Sequence, residues 1–149
     1  MNLNQVTIKS MDVNAAVTFY LKLGLKLIVD SRPRYVRFES FNTDRKSHSR
    51  GDSTFSVSHA EKVSDVSTTL YFEVDDLDKT YSTIKSQGLD FVSKPEDKRW
   101  LWREASLKDP DGRPLILYSA GINRKNPPWR VKKKRWFEYF SESQVNLMK

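Results

Sequence analysis

Along several short segments of this chain, polar and aromatic residues alternate with apolar ones. Alternate residues of a β-strand point to the same side of a sheet, so the alternation gathers the polar and aromatic set on one face. Carboxylates, a guanidinium and large aromatic rings on one concave face could hold a sizeable organic molecule. The candidate ligand-binding residues are Gln5, Tyr35, Arg37, Glu39, Ser56, Thr69, Tyr71, Glu73, Trp102, Glu104 and Tyr118.

Two other interpretations of these residues stay open. Each of them alone is typical of the solvated face of an antiparallel sheet, although such a face rarely needs Tyr35, Tyr71, Trp102 and Tyr118 together. The carboxylates could instead act in catalysis. Glu39 and Glu104 are candidates for a general base if burial raises the pKa.

A relocated metal site is a further alternative for the same face. Glu39, Glu73 and Glu104 with Gln5 would form an oxygen-rich cluster suited to a divalent cation. Carboxylates near Arg37 more often form ion pairs, which makes this the minority hypothesis.

The elements that must position these side chains come in two matched copies. Two segments of the chain align without a gap. They are residues 5–28, QVTIKSMDVNAAVTFYLKLGLKLI, and residues 69–92, TLYFEVDDLDKTYSTIKSQGLDFV. Asp12 matches Asp76 and Gly24 matches Gly88 at the same spacing. Each copy predicts a strand, an Asp N-cap, a helix, a Gly stop and a second strand. An internal repeat of this kind determines the architecture.

The remaining strands complete an α+β fold of two βαβββ modules. Strands predicted over 35–39, 54–58, 100–107 and 114–118 give modules at residues 1–60 and 68–120. We expect one eight-stranded mixed sheet, curled into a trough, with the helices on the outside. The apolar residues expected to face the helices are Val6, Ile8, Val36, Phe38, Phe55, Val57, Leu70, Phe72, Leu115 and Leu117. Alternation also places Arg103 on this side, which is unusual for a charged residue.

Composition narrows the function classes. The 149 residues include no Cys and only two His, so disulfides, thiolate metal sites and Cys nucleophiles are excluded. We expect His48 and His59 to lie on the surface. No apolar run approaches the ~18 residues that span a bilayer, and the N-terminus lacks a signal pattern. A cytoplasmic protein is expected.

The net charge of +7 is concentrated in residues 121–149, which have eight Lys or Arg and two Glu. In this extension we expect Pro127–Pro128 to be extended and Trp129 to dock as an anchor. The basic run 132–135 precedes Trp136 and Phe140, whose spacing favours a helix that packs on the domain or on a second subunit. Contact with nucleic acid or a membrane is the alternative, which is not favoured.

The order of these segments resembles the vicinal oxygen chelate superfamily, which includes glyoxalase I, bleomycin-resistance proteins and extradiol dioxygenases. The resemblance covers residues 3–119 and rests on the paired modules and on AVTFYLKLGLKLI, YFEVDDLD and LKDPDGRPLILY. It implies an often dimeric fold with a divalent metal or an organic ligand in the trough.

The resemblance implies metal ligands at the positions of Gln5, Ser56, Thr69 and Ile116. The usual ligands are His or Gln and Glu, and Ile116 cannot ligate, so we expect no metal and no cofactor. The leading hypothesis is a metal-independent protein that binds a small organic molecule and forms a homodimer. The alternative is a lyase, isomerase or dioxygenase that uses a relocated divalent metal or a Glu general base.

Overall fold

The computed structural model describes residues 4–40, 53–64 and 66–130. The first module contains β1 (Gln5–Ser10), α1 (Val13–Lys22), β2 (Leu25–Ser31), β3 (Tyr35–Ser40) and β4 (Thr54–His59). The second contains β5 (Leu70–Glu73), α2 (Leu77–Ser86), β6 (Glu96–Asp97), β7 (Arg103–Lys108) and β8 (Pro114–Ser119). A short 3₁₀ helix, α3 (Gly121–Arg124), follows β8. His48, which is expected on the surface, and the segment with Trp136 and Phe140 lie outside the described residues.

Local sequence produces the two helices in the same way. The Asp12 side chain accepts from the backbone N–H of Ala15 at 2.9 Å, three residues later in the chain. The Asp76 side chain accepts in the same way from Lys79 N–H at 3.0 Å. These N-cap bonds satisfy donors that have no partner inside the helix. Gly24 and Gly88 follow the helices with φ of 102° and 85°, a conformation that favours glycine.

The strands form two four-stranded mixed sheets, in the orders β1-β4-β3-β2 and β5-β8-β7-β6. In each sheet the first strand of the module pairs in parallel with the last one, and the other pairs are antiparallel. The α+β class with two βαβββ modules is therefore confirmed. The single eight-stranded sheet is replaced, within the described residues, by two sheets that share no strand pairing.

A β-bulge occurs at matching points of the two modules. The register between β2 and β3 shifts at Ile28. At the corresponding place in the second copy, the N–H groups of Val92 and Ser93 both donate to Ser106 O, at 2.7 and 3.2 Å. Two donors on one acceptor interrupt the ladder. The second strand predicted after Gly88 is therefore reduced to a single bridge between Phe91 and Leu107, and β6 begins only at Glu96.

The hydrophobic core lies where the helices cover the sheets. Most side chains predicted to face the helices are buried, and Phe72 packs against them. Val6 differs, with 40% of its surface exposed, because β1 is an edge strand that pairs only with β4. His59 ends β4 and is exposed, as predicted.

A buried polar network joins the two modules. The hydroxyl of Tyr20 on α1 donates to Asp109 Oδ2 at 3.0 Å, and Arg113 Nη1 forms an ion pair with the same oxygen at 2.6 Å. Arg113 Nη2 also donates to Lys9 O at 3.1 Å. Asp109 and Arg113 flank the turn before β8, so this turn connects the second module to β1 and α1.

The pKa of Tyr20 gives a test of this junction. Burial and the charge of Asp109 raise this pKa well above its ordinary value. The folded protein therefore keeps the phenol proton at a pH where the unfolded chain has lost it, and stability must fall as the pH rises above about 10. We expect Tyr20→Phe to lose about 1–3 kcal/mol of unfolding free energy at neutral pH, because Asp109 loses a donor. The variant should also show a shallower alkaline decline.

Urea unfolding at neutral pH and across the alkaline range measures both effects. Tyr81→Phe is the matched control, because the Tyr81 hydroxyl makes no hydrogen bond to a described residue and its ring packs on Phe91. Equal alkaline declines in the wild type and in Tyr20→Phe would contradict the assignment.

Candidate functional site

The open face of the first sheet carries a polar cluster on three adjacent strands. Gln5 Nε2 donates to Ser56 Oγ at 3.3 Å, and the Tyr35 hydroxyl lies 2.8 Å from the same oxygen. Arg37 Nε donates to the Tyr35 hydroxyl at 2.9 Å. Because β1, β4 and β3 are neighbours in the sheet, residues far apart in sequence meet here. We call Gln5, Tyr35, Arg37 and Ser56 the Arg37 cluster.

The Arg37 cluster changes the acidity of Tyr35. Burial raises the pKa of the phenol, but the hydrogen bonds to Ser56 and Arg37 and the positive charge of Arg37 outweigh it. The pKa of Tyr35 is therefore below its ordinary value. The cluster favours negative charge at this point of the sheet.

The open face of the second sheet carries aromatic rings. Trp102 and Tyr118 stack with ring centroids 4.5 Å apart and planes inclined by 16°. Tyr71 meets both rings edge-on, at 6.3 and 5.9 Å. Such stacked and edge-to-face contacts stabilise beyond the burial of area alone. Alternation along β5 and β8 brings Tyr71 and Tyr118 to one side. Trp102 lies in the loop just before β7, because that strand begins at Arg103 and not at residue 100 as predicted.

A cavity of about 520 Å³ lies beside these rings. The segment after β8 supplies part of its wall, and Arg124 Nε ties that segment to Glu73 Oε2 at 2.9 Å. Trp129 lines the cavity with 58% of its surface exposed. The full lining is Tyr71, Trp100, Trp102, Glu104, Asn123, Arg124, Pro127 and Trp129.

The three predicted carboxylates each have a different partner. Glu39 pairs with Lys26 at 2.9 Å on the first sheet, and Glu73 pairs with Arg124. Glu104 Oε1 accepts from the Trp100 indole at 2.6 Å. Over the described ranges, no three His, Cys, Asp or Glu side chains group closely enough to hold a metal ion.

Glu104 and Tyr118 are the buried members of the aromatic face. Glu104 is only 6% exposed, yet it lines the cavity, and no described donor contacts its second oxygen. Burial and the charge of Glu73 raise the pKa of Tyr118, and Arg124 opposes them. Tyr118 is therefore a neutral ring at physiological pH, suited to stacking.

The candidate residues thus form two groups rather than one lining. Tyr71, Glu73, Glu104 and Tyr118 lie on the second sheet, and Trp102 lies in the loop just before β7. The remaining candidates belong to the first sheet, except Thr69, which precedes β5. No hydrogen bond, ion pair or ring contact between described residues joins the Arg37 cluster to the aromatic face.

Arg103 does lie on the helix side, as alternation predicts. Its guanidinium bonds both oxygens of Asp78 in the first turn of α2, at 2.8 and 2.9 Å. It also pairs with Asp97 at 3.0 Å. Solvent-exposed acidic partners explain a charged residue on a side that is otherwise apolar.

Several cavity residues were missed by sequence reasoning. The alternation that selects Trp102 and Glu104 also selects Trp100, two residues earlier, so this signal was present. Asn123, Arg124 and Pro127 follow the last strand and had no periodic pattern. Their position depends on where the chain turns after β8.

The loop between β6 and β7 holds Trp100 and Trp102 in place. Lys98 N donates to Trp102 O at 2.7 Å, and Leu101 N donates to Lys98 O at 2.9 Å. Leu101 has φ of 65°, a left-handed conformation that costs energy for a residue with a side chain. The two tryptophans on either side of Leu101 both line the cavity.

Residues 3–118 match the family described as the glyoxalase-like domain. The chain belongs to this family. It is 30% identical to YraH of Bacillus subtilis (strain 168) over 125 residues. The aligned region covers 79% of this chain and 98% of YraH. The predicted membership of the vicinal oxygen chelate superfamily is confirmed.

Two solved structures share the fold at low sequence identity. A glyoxalase/bleomycin resistance protein/dioxygenase from Nocardioides superposes with a TM-score of 0.65 at 17% identity, covering 89% of this chain and 90% of that one. A bleomycin-binding protein complexed with bleomycin gives a TM-score of 0.59 at 22% identity, covering 80% and 98%.

The metal positions implied by the family do not fit a metal in this chain. Ile116 has no donor atom. Ser56 is fully buried, and its hydroxyl is already bonded to Gln5 and Tyr35. Thr69 offers only a neutral hydroxyl, which is a poor ligand beside the N, O and S donors of known zinc sites.

Within the described ranges, no helix has the length and apolar character needed to cross a bilayer.

Leu101→Gly tests the strain in the loop that presents the tryptophans. Glycine adopts the left-handed conformation without steric cost, and Leu101 is half exposed, so little packing is lost. We expect the free energy of unfolding to rise by about 0.5–1 kcal/mol in urea titrations. Val92→Gly is the control, at an exposed residue without positive φ, and should destabilise. An equal loss in both variants would show that Leu101 is not strained.

Proposed function

We propose that this protein binds a small organic molecule with a flat apolar portion in the cavity on the second sheet, without a metal ion. The observation that carries the proposal is the stack of Trp102 on Tyr118 beside the cavity, with Tyr71 at its edge. Rings held rigidly by one another offer a preformed surface, which lowers the entropic cost of binding.

The size and polarity of the cavity support this proposal. Its volume of about 520 Å³ is within the range of small-molecule sites, ~300–1,000 Å³. Apolar and aromatic walls predominate, and Glu104, Asn123 and Arg124 are the polar groups that could orient a ligand. A structural relative that binds bleomycin also supports small-molecule binding on this fold.

Metal independence is supported by the donor chemistry of the chain. The four positions that the family would use hold an amide, two hydroxyls and a hydrocarbon. The three predicted carboxylates are on two different sheets and have separate partners. Binding would therefore rest on stacking and hydrogen bonds.

A catalytic role for Glu104 is the second candidate. This buried carboxylate lines the cavity and has one oxygen without a described donor, so it could accept a proton from a bound molecule. Glu39 is less suited, because it is an exposed partner of Lys26. Turnover of a bound compound by the wild type, lost in Glu104→Gln, would favour an enzyme over a binding protein.

We also propose a homodimer. Edge strand β1 exposes the apolar side chain of Val6, with 40% of its surface accessible. A second copy would cover such side chains and bring further groups to the open faces. The expected cytoplasmic location stays a prediction.

Sedimentation of the purified chain tests the homodimer. We expect the mass of two chains over a broad concentration range, because a stable interface resists dilution. Val6→Lys would place a charge on the edge of β1 and should shift the mass toward one chain. Ile28→Lys, the same kind of change at an exposed residue of β2 on the opposite edge of the sheet, is the control. A single-chain mass for the wild type at every concentration would contradict the proposal.

A binding screen tests the proposed ligand site. Flat aromatic compounds, with metal-free bleomycin among the first, are titrated while tryptophan fluorescence is followed. We expect the compounds that bind the wild type to bind Trp102→Leu about tenfold more weakly or worse, since stacking on a ring contributes roughly 0.5–1.5 kcal/mol beyond lost area.

Matched tyrosines provide the control. Tyr71→Leu removes a ring that lines the cavity, whereas Tyr81→Leu removes a ring that packs on Phe91 away from it. Only the first should weaken binding. Elemental analysis and EDTA dialysis test metal independence. One tightly held divalent ion per chain, with binding lost after EDTA, would show that a metal is required.

A further inference from the structure

Arg37 is the half-buried arginine of the described ranges that lacks a carboxylate partner, whereas Arg34, Arg99 and Arg130, which also lack one, are exposed. Arg32, Arg103, Arg113 and Arg124 each pair with a carboxylate. Arg37 is half-buried on the first sheet, yet no described carboxylate lies within ion-pair distance of it. Glu39, two residues away on the same face, is engaged by Lys26. The positive charge of Arg37 is therefore not neutralised by the described part of the chain.

The guanidinium of Arg37 is held in place by the Arg37 cluster. Its Nε donates to the Tyr35 hydroxyl, and its central carbon lies 5.7 Å from the centre of the Tyr35 ring. Tyr35 is anchored in turn to Ser56, which is fully buried and accepts from Gln5. Arg37 Nη1 and Nη2 make no hydrogen bond to a described residue. These are the donors that match the two oxygens of a carboxylate.

The acidity of Tyr35 supports a preference for anions at this place. Its phenol is partly desolvated, which alone would raise the pKa, but the cluster holds the pKa below the ordinary value. The same donors and charge that stabilise a phenolate would stabilise an oxyanion of a ligand.

We propose that the Arg37 cluster is a binding site for an oxyanion, the carboxylate of a small organic molecule. Arg37 supplies the contact, and Tyr35, Ser56 and Gln5 act as positioning residues. The site lies on a different sheet from the aromatic cavity, so it goes beyond the ligand site proposed above. A phosphate group shares the relevant chemistry and is distinguished by experiment.

The test uses the full chain labelled with ¹⁵N and three probes. Benzoate carries a carboxylate, benzamide is its neutral isostere, and inorganic phosphate is an oxyanion without a ring. We expect benzoate to shift the Nε–H signal of Arg37, assigned by its loss in Arg37→Gln, and benzamide to leave it in place. A larger response to phosphate than to benzoate would identify a phosphate group as the ligand and would support the oxyanion site.

Arg37→Gln and Arg34→Gln form a matched pair. Both remove one positive charge near the start of β3, but the exposed Arg34 side chain has no ion pair with a described residue. We expect Arg37→Gln to weaken benzoate about tenfold or more, the effect of losing charge-assisted hydrogen bonds. Arg34→Gln should change it by less than about twofold. Arg37→Lys keeps the positive charge but loses the paired donors of the guanidinium, so its affinity for benzoate should be intermediate. This variant replaces Arg37→Gln in the comparison if Arg37→Gln does not fold.

Three results would overturn the proposal. The first is that neither oxyanion shifts the Arg37 signal. The second is that the two Gln variants weaken benzoate binding equally, as a general charge effect would. Benzoate binding could instead be lost in Trp102→Leu and kept in Arg37→Gln, which would assign it to the aromatic cavity. That outcome leaves the ligand site of the second sheet intact. Failure of the aromatic screen would likewise leave the Arg37 result unaffected.

Discussion

The carboxylate of Asp109 is the point on which the relation between the two modules depends. It accepts from the backbone of Asp111 and Arg113, at 3.0 and 2.8 Å, which shapes the turn before β8. It also holds Tyr20 of the first module, and its partner Arg113 reaches the carbonyl of Lys9. Buried charges of this kind are stable only when they are fully paired, so removing one partner leaves the others unsatisfied. One side chain thus shapes a turn and joins two halves.

The aromatic core beside this network restricts the halves further. Tyr20 is fully buried and packs on Phe55 and Phe38, at 4.7 and 5.8 Å between ring centroids. Phe55 meets Phe72 of the second module at 6.1 Å. The hydrogen bonds of the polar network orient the two modules at the junction, and the aromatic rings fill its interior. The open faces of the two sheets are left available for binding on the sides away from this core.

Those open faces show how a repeated backbone can carry dissimilar chemistry. The buried sides of both sheets are alike, because each must pack a helix. The open sides are under no such constraint, so the first presents the Arg37 cluster and the second presents stacked rings beside Glu104. The positions that would pair as metal ligands in this family carry unrelated side chains here. The proposed functions follow from that divergence: stacking on one face and an unneutralised guanidinium on the other.

The sequence by itself determined the features that depend on neighbours a few residues apart. The helix starts at Asp12 and Asp76, the stops at Gly24 and Gly88, and the face of each strand residue follow from caps, glycine conformations and alternation. Only the tertiary structure decided the choices among distant partners.

Glu39, Glu73 and Glu104 illustrate that limit. Alternation placed them on open faces, yet their partners are Lys26, Arg124 and Trp100, each reached through a strand pairing or a chain turn without a local signal. For the same reason, the sequence did not determine that the strands form two separate sheets or that the segment after β8 lines the cavity. A local pattern fixes which side of a strand a residue occupies, whereas long-range packing decides what it meets there.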